Sequence, residues 1–118
     1  MVGTNKRLGN HGEFLAKTCL EKQGHAILAK NFYTRFGELD LISKYKKQIH
    51  IIEVKTFKSN HIPIGYKINW KKQRRMAQST CIFLDRYKLW SNYVQFDLIT
   101  IHSDQIKHIK NIFSLVDV

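Results

Sequence analysis

The run Ile49-His50-Ile51-Ile52-Glu53-Val54-Lys55-Thr56 constrains this chain more than any other segment. It is rich in β-branched residues, which fit the pleated, half-buried surface of a sheet, and it predicts a central strand. Glu53 stands out inside it. Between Leu41 and Leu84 the chain carries ten Lys or Arg residues and one acid, Glu53, so this carboxylate sits in the most basic part of the sequence.

The flanking segments supply the rest of an α-β-β-β-α-β-β order. HGEFLAKTCLEKQ, from about His11 to Gln23, predicts a first helix with Leu15, Cys19 and Lys22 on one stripe and Phe14, Ala16 and Leu20 beside it. Gly24 ends that helix. His25–Tyr33 and Glu38–Ser43 read as strands around a turn at Arg35-Phe36-Gly37. After Ile49–Thr56, a loop from Phe57 to Ile68 holds Pro63 and Gly65, a length more often functional than idle. Asn69 is placed to cap a second helix over Trp70–Lys88, with Met76, Ala77, Cys81, Leu84 and Tyr87 at helical spacing and Lys71, Lys72, Arg74 and Arg75 in its first turns. Tyr93–Ile101 alternates as a strand, and a turn at His102–Gln105 leads to a last short one near Ile106–Ile112.

Composition bounds the function. At 118 residues the chain fits one domain, 1–118, and the 20 basic against 9 acidic residues leave a net charge of +11, which points to a polyanionic partner. Cys19 and Cys81 lack the spacing of a disulfide framework or zinc module. His25, His50, His61, His102 and His108 show no ligand spacing either, so no zinc is expected and these histidines read as strand or surface side chains. No apolar run spans a bilayer and the N-terminal segment lacks a signal-peptide pattern, so a cytoplasmic location and no membrane partner are expected.

Side chains two apart on a strand share a face, which pairs Glu38 with Asp40 and Glu53 with Lys55. If the second and third strands form a hairpin in which paired residue numbers sum to 93, Asp40 lies opposite Glu53 with Cβ atoms about 5 Å apart, and Glu38 lies opposite Lys55. The same register places Leu39, Leu41, Ile52 and Val54 together on the reverse face. Lys46-Lys47 suits a two-residue turn poorly, so a four-residue loop from Tyr45 to Gln48 is expected. Two facing carboxylates repel unless a cation lies between them, and Mg²⁺ or Mn²⁺ takes such oxygen ligands together with water and phosphate. Lys55 would then serve the attacking water of a phosphodiester hydrolysis. Asp97 reads as structural, pairing with a base of the second helix.

Asp40, twelve intervening residues and Glu53-Val54-Lys55 resemble the PD-(D/E)xK nuclease signature. With Gly12-Glu13, Gly24, Asn31, Gly37-Glu38-Leu39-Asp40-Leu41-Ile42, Gly65, Lys72-Gln73 and Phe96-Asp97, the chain is similar to the YraN-like family of small endonuclease-like proteins. The resemblance implies a restriction-endonuclease-like α/β fold related to Holliday junction resolvases, with a mixed sheet flanked by helices. It implies Asp40, Glu53 and Glu13 as ligands of Mg²⁺ or Mn²⁺, Lys55 at the water and Glu38 as a further carboxylate. By the same analogy Lys71, Lys72, Gln73, Arg74 and Arg75 would meet a nucleic-acid backbone, DNA in preference to RNA. The chain departs from the family pattern at Thr56-Phe57, where an Arg after Glu-Val-Lys-x is common, so one phosphate contact is missing. The expected function is a metal-dependent, structure-selective DNA endonuclease, in which a homodimer would suit branched or duplex substrates. The alternative is a nucleic-acid-binding module of the same fold that does not turn over.

Overall fold

A computed structural model describes residues 2–58 and 65–115, with side chains from residue 9 onward. Helix α1 (Val2–Lys22) leads into β1 (Ala26–Thr34), β2 (Gly37–Tyr45) and β3 (Gln48–Phe57); helix α2 (Trp70–Arg86) then precedes β4 (Tyr93–His102) and β5 (Gln105–Phe113). One mixed sheet runs β1-β2-β3-β4-β5, with β3 in the centre. Only β3 and β4 are parallel, and α2 is the crossover that a parallel pair requires. The α/β class and element order are those the sequence predicts. Pro63 and His61 lie outside the described residues.

Helix α1 begins at Val2, well before the predicted His11, and its buried seam is Gly12, Ala16 and Leu20 at intervals of four. The expected stripe is one position off. Cys19 is half-buried and Lys22 exposed, because the helix makes its close approach to the sheet at the small residues Gly12 and Ala16, which turns Leu20 inward rather than Cys19. Gly24, at φ +96°, turns the chain out of the helix as expected.

Two apolar layers sandwich the sheet. Ala16 and Leu20 of α1 pack with Leu41, Ile52, Ile99 and Ile101, while Met76, Phe83 and Leu84 of α2 pack with Ile42, Ile51 and Phe96. Leu39 departs from expectation: it joins the α2 layer, although Leu41, two residues on, faces α1. Strict alternation would put both on one face. The break falls at Asp40, beside Asn31 of β1, which has φ +53°.

In α2 the Asn69 side chain caps Lys72 N at 2.8 Å. Its buried face includes Ser79, Thr80 and Phe83, whereas the predicted Cys81 is half-buried and Tyr87 is exposed beyond the helix end. Polar residues fill these core positions because their hydroxyls find partners, Ser79 with Thr34 Oγ1 at 2.7 Å and Thr80 with Met76 O at 2.7 Å.

The β2–β3 register is the predicted one, with Leu41 opposite Ile52 and Ile42 opposite Ile51. The loop is tighter than expected. Tyr45 pairs with Gln48, so Lys46-Lys47 forms a two-residue turn with Lys46 at φ +57° and its ammonium over the Tyr45 ring.

Asp97 also differs from its predicted role. It is fully buried in β4 and accepts hydrogen bonds from His50 Nδ1 (3.0 Å), His108 Nε2 (2.9 Å), Gln95 Nε2 (2.9 Å) and Asn111 N (2.9 Å), so it ties β3 to β5 rather than holding the basic helix. Burial alone would raise its proton affinity, but these donors outweigh it and hold the carboxyl below the usual range. His25, His50 and His108 are interior groups of this network, not surface side chains. His25 donates to or accepts from Ser43 Oγ at 2.8 Å and lies edge-on to His50.

Candidate metal centre

The acidic residues meet where β2 and β3 part. Their ladder is last paired at Leu41 and Ile52. One step further, the Asp40 side chain takes over a backbone role, and Val54 N donates to Asp40 Oδ2 at 2.9 Å. The strands thereby open around the Asp40 carboxylate, which feels the charge of Glu53 beside it. Glu53 itself is 4% exposed.

Two more carboxylates complete the cluster. Ligand-capable oxygens of Glu13, Glu38 and Asp40 lie within 4.8 Å of one another. Glu13 reaches this place from α1 because the preceding Gly12 rests directly on β3: a Cβ there would collide with Thr56 Oγ1. Between Glu13 and Glu38 stands Asn31, whose amide nitrogen donates to Glu13 Oε2 (2.9 Å) and Glu38 Oε1 (2.6 Å). Its left-handed backbone suits Asn, which tolerates positive φ better than most residues.

Proton affinity rises at Glu13, Glu38 and Asp40. Burial, then the charge of Glu53 and a hydrogen bond with it, push Asp40 up to about 8. Glu13 is raised by burial against the lowering effects of Asn31 and Lys30, and Glu38 by burial and by the charges of Glu13 and Glu53. Carboxylates crowded in this way share protons or a cation. An all-oxygen donor set of this kind suits a hard divalent ion, Mg²⁺ or Mn²⁺, better than zinc.

The nearest cation comes from α2. Lys72 Nζ forms an ion pair with Glu53, and although burial lowers its proton affinity, that contact raises it overall. Lys72 and Arg75 line a pocket of about 270 Å³ together with Phe36, Glu38, Asp40 and Glu53. Lys55, the lysine singled out with Glu53 in the sequence, is exposed and does not line this pocket. Lys71 and Arg74 are exposed on the outer side of α2, with the Arg74 guanidinium over Trp70. Gln73 turns inward instead, donating to Ile68 O at 2.9 Å, so its amide serves the helix start.

The structure thus brings Glu13, Glu38, Asp40 and Glu53 together. Two residues at this place were not assigned these contacts from the sequence: Asn31 as the bridge and Lys72 as the partner of Glu53. An Asn inside the apolar run Ala26–Tyr33 was the available signal for the first, since Asn is poorly suited to a strand interior. No sequence pattern reports the second, because it depends on how α2 docks.

The chain belongs to the uncharacterised protein family UPF0102, whose model matches residues 12–101. A UPF0102 protein of Geobacter metallireducens is 37% identical over 116 residues, covering 94% of this chain and 95% of its own length. Relatives from Thermodesulfovibrio yellowstonii (39% identity; 90% and 95% covered) and Clostridium perfringens (38%; 88% and 88%) carry the same family description. The matched region includes all four carboxylates, Asn31 and Lys72. Among the described residues, no helix is long and apolar enough to cross a membrane.

Proposed function

We propose that this chain is a divalent-metal-dependent endonuclease that hydrolyses phosphodiester bonds, with DNA as the favoured substrate. The observation that carries this reading is the convergence of Glu13, Glu38 and Asp40, with the charge of Glu53 beside Asp40, inside a chain of net charge +11. A surface that only bound phosphate would gain nothing from four clustered acids. Glu13, Glu38 and Asp40 would hold Mg²⁺ or Mn²⁺, with Glu53 beside them. Such an ion supplies charge neutralisation at the phosphate and a water made acidic enough to attack.

The chain's own residues then have distinct tasks. Asp40 fixes the opening of the strands through Val54 N and offers a carboxylate oxygen to the cluster. Asn31 keeps Glu13 and Glu38 at one spacing. Lys72 and Arg75 place positive charge on the pocket wall facing the acids, where a scissile phosphate would enter. Lys71 and Arg74 extend that charge along α2.

A non-catalytic nucleic-acid-binding module is the second reading, and the Lys72–Glu53 ion pair favours it, since an ammonium already compensates one acid. Labelled single-stranded, duplex, flap and four-way-junction DNA incubated with Mn²⁺ separates the two. Cleavage that disappears in Asp40→Asn and Glu53→Gln supports the nuclease. Tight binding without cleavage across all substrates supports the silent module.

A further inference from the structure

The far end of β3 from the acidic pocket carries a different kind of surface. Gln48 of β3 pairs with Tyr93 of β4 there, five residues before Glu53, or about 17 Å away at about 3.3 Å per strand residue. Tyr87, Trp90 and Tyr93 are 54%, 54% and 72% exposed, although large aromatics are ordinarily drawn inward. They are interleaved with base: the segment Arg86–Tyr93 contains Lys88 and no acid. Lys46 and Lys47 of the β2–β3 turn adjoin it, joined by Tyr93 N donating to Lys47 O at 3.1 Å.

This segment is held in shape. Leu89 N donates to Leu84 O at 2.8 Å, Asn92 N to Leu89 O at 3.1 Å, and the Tyr87 ring rests against Phe83 with centroids 4.9 Å apart. A ligand meeting these rings would pay little ordering entropy.

We infer that Tyr87, Trp90 and Tyr93, with Lys46, Lys47 and Lys88, form a second polynucleotide contact on which the bases of an unpaired strand stack. Exposed aromatic faces alternating with cations suit single strands, whose bases offer free π-faces; in a duplex those faces are occupied by neighbouring bases. The inference rests on the proposed function only in taking a polynucleotide as the ligand. It places the contact about five stacked nucleotides from the acids, at about 3.4 Å per nucleotide.

Fluorescence anisotropy in EDTA, with labelled oligo-dT and a matched duplex, tests it on the full chain without cleavage. Trp90→Ala and Tyr93→Ala are each expected to weaken single-strand binding by about 5- to 100-fold, the range for loss of one base–aromatic stack, and to leave duplex binding within about twofold. In a Trp70→Phe background, the remaining Trp90 fluorescence is expected to be quenched by oligo-dT. Unchanged single-strand affinity in both variants, or an equal loss on duplex, overturns the inference, provided thermal melts show both variants folded. The Mn²⁺ cleavage assay is read separately: a platform that binds without cleavage removes the nuclease reading alone, and cleavage with no effect of the variants removes the platform alone.

Discussion

Gly12 lies so close to Thr56 that no side chain fits between helix α1 and strand β3 at that point. The helix position, and with it the reach of Glu13 into the acidic cluster, depends on this contact. Gly12→Ala should therefore destabilise the fold by about 1–3 kcal/mol despite alanine's better helix propensity, because the obstacle is an oxygen on a β-branched residue of strand β3. Thr56→Ala removes that oxygen and leaves Thr56 Cβ at an ordinary 3.5 Å from the new methyl. The double variant should recover most of the loss in urea denaturation; equal instability of single and double variants would show that the collision is not what limits the helix.

Asn31 joins Glu13 to Glu38 through one amide group, so Asn31→Asp replaces two donated hydrogen bonds by a further negative charge without disturbing the left-handed backbone. In EDTA the variant should lose about 1–3 kcal/mol, the cost of unpaired groups at a partly buried site. Mn²⁺ should restore more stability to Asn31→Asp than to the parent chain, since five clustered acids gain more from a cation than four. Melting temperatures with and without Mn²⁺ measure the difference, and an identical Mn²⁺ effect on both chains would deny Asn31 its place beside the ion.

The element order and the β2–β3 register were legible because they rest on local signals: β-branched runs, Gly24, the Asn69 cap, and a register that keeps Leu41, Ile52 and Val54 on one side. The acids Glu38, Asp40 and Glu53 could be named for the same reason, being acids at fixed places on predicted strands, whereas Glu13 was named only through the family resemblance. What escaped depends on contacts between elements. Leu39 changes face because the backbone irregularity at Asn31 and Asp40 interrupts alternation, and no periodicity contains that interruption. Lys72 meets Glu53 only because α2 crosses the sheet at one angle. The α1 seam of Gly12, Ala16 and Leu20 is set by close approach at Gly12 and Ala16, small residues that a count of hydrophobic side chains ranks below Leu15 and Cys19. The histidines around Asp97 are far apart in sequence and acquire their meaning only when β3, β4 and β5 are adjacent.

His25 provides a pH test opposite in sign to that of the acidic cluster. Burial, followed by the charges of His50 and His108, lowers it to about 4, against about 6.5 when unfolded. The unfolded chain thus binds this proton more tightly, and the contribution is fully present above about pH 6.5 and is lost as pH falls toward 4. Between pH 7 and pH 5 the loss from this residue should be about 2 kcal/mol. Asp40, raised to about 8, stabilises the fold over the same fall in pH, so the His25 contribution is read as a difference in urea denaturation: from pH 7 to pH 5 the parent chain should lose about 2 kcal/mol relative to His25→Gln. A variant with the same pH slope would assign the effect to other groups.

Lys72 and the expected metal ion compete for the same charge. With its ammonium on Glu53, the chain compensates a buried carboxylate in the absence of an ion, and Lys72→Met leaves that carboxylate unpaired. Because Lys72 is itself partly exposed, solvent screens the pair, and the metal-free loss should be about 1–2 kcal/mol rather than the full cost of a buried bridge. Mn²⁺ should then bind more tightly to Lys72→Met than to the parent chain, since no ammonium must be displaced from Glu53. Cleavage should nevertheless fall by about 10²-fold or more, because the pocket wall loses the positive charge nearest the entering phosphate. Titration calorimetry and the cleavage assay on one variant therefore move in opposite directions. Weaker Mn²⁺ binding in Lys72→Met would mean that the lysine organises the acids for the ion, and undiminished cleavage would return the lysine's role to Lys55.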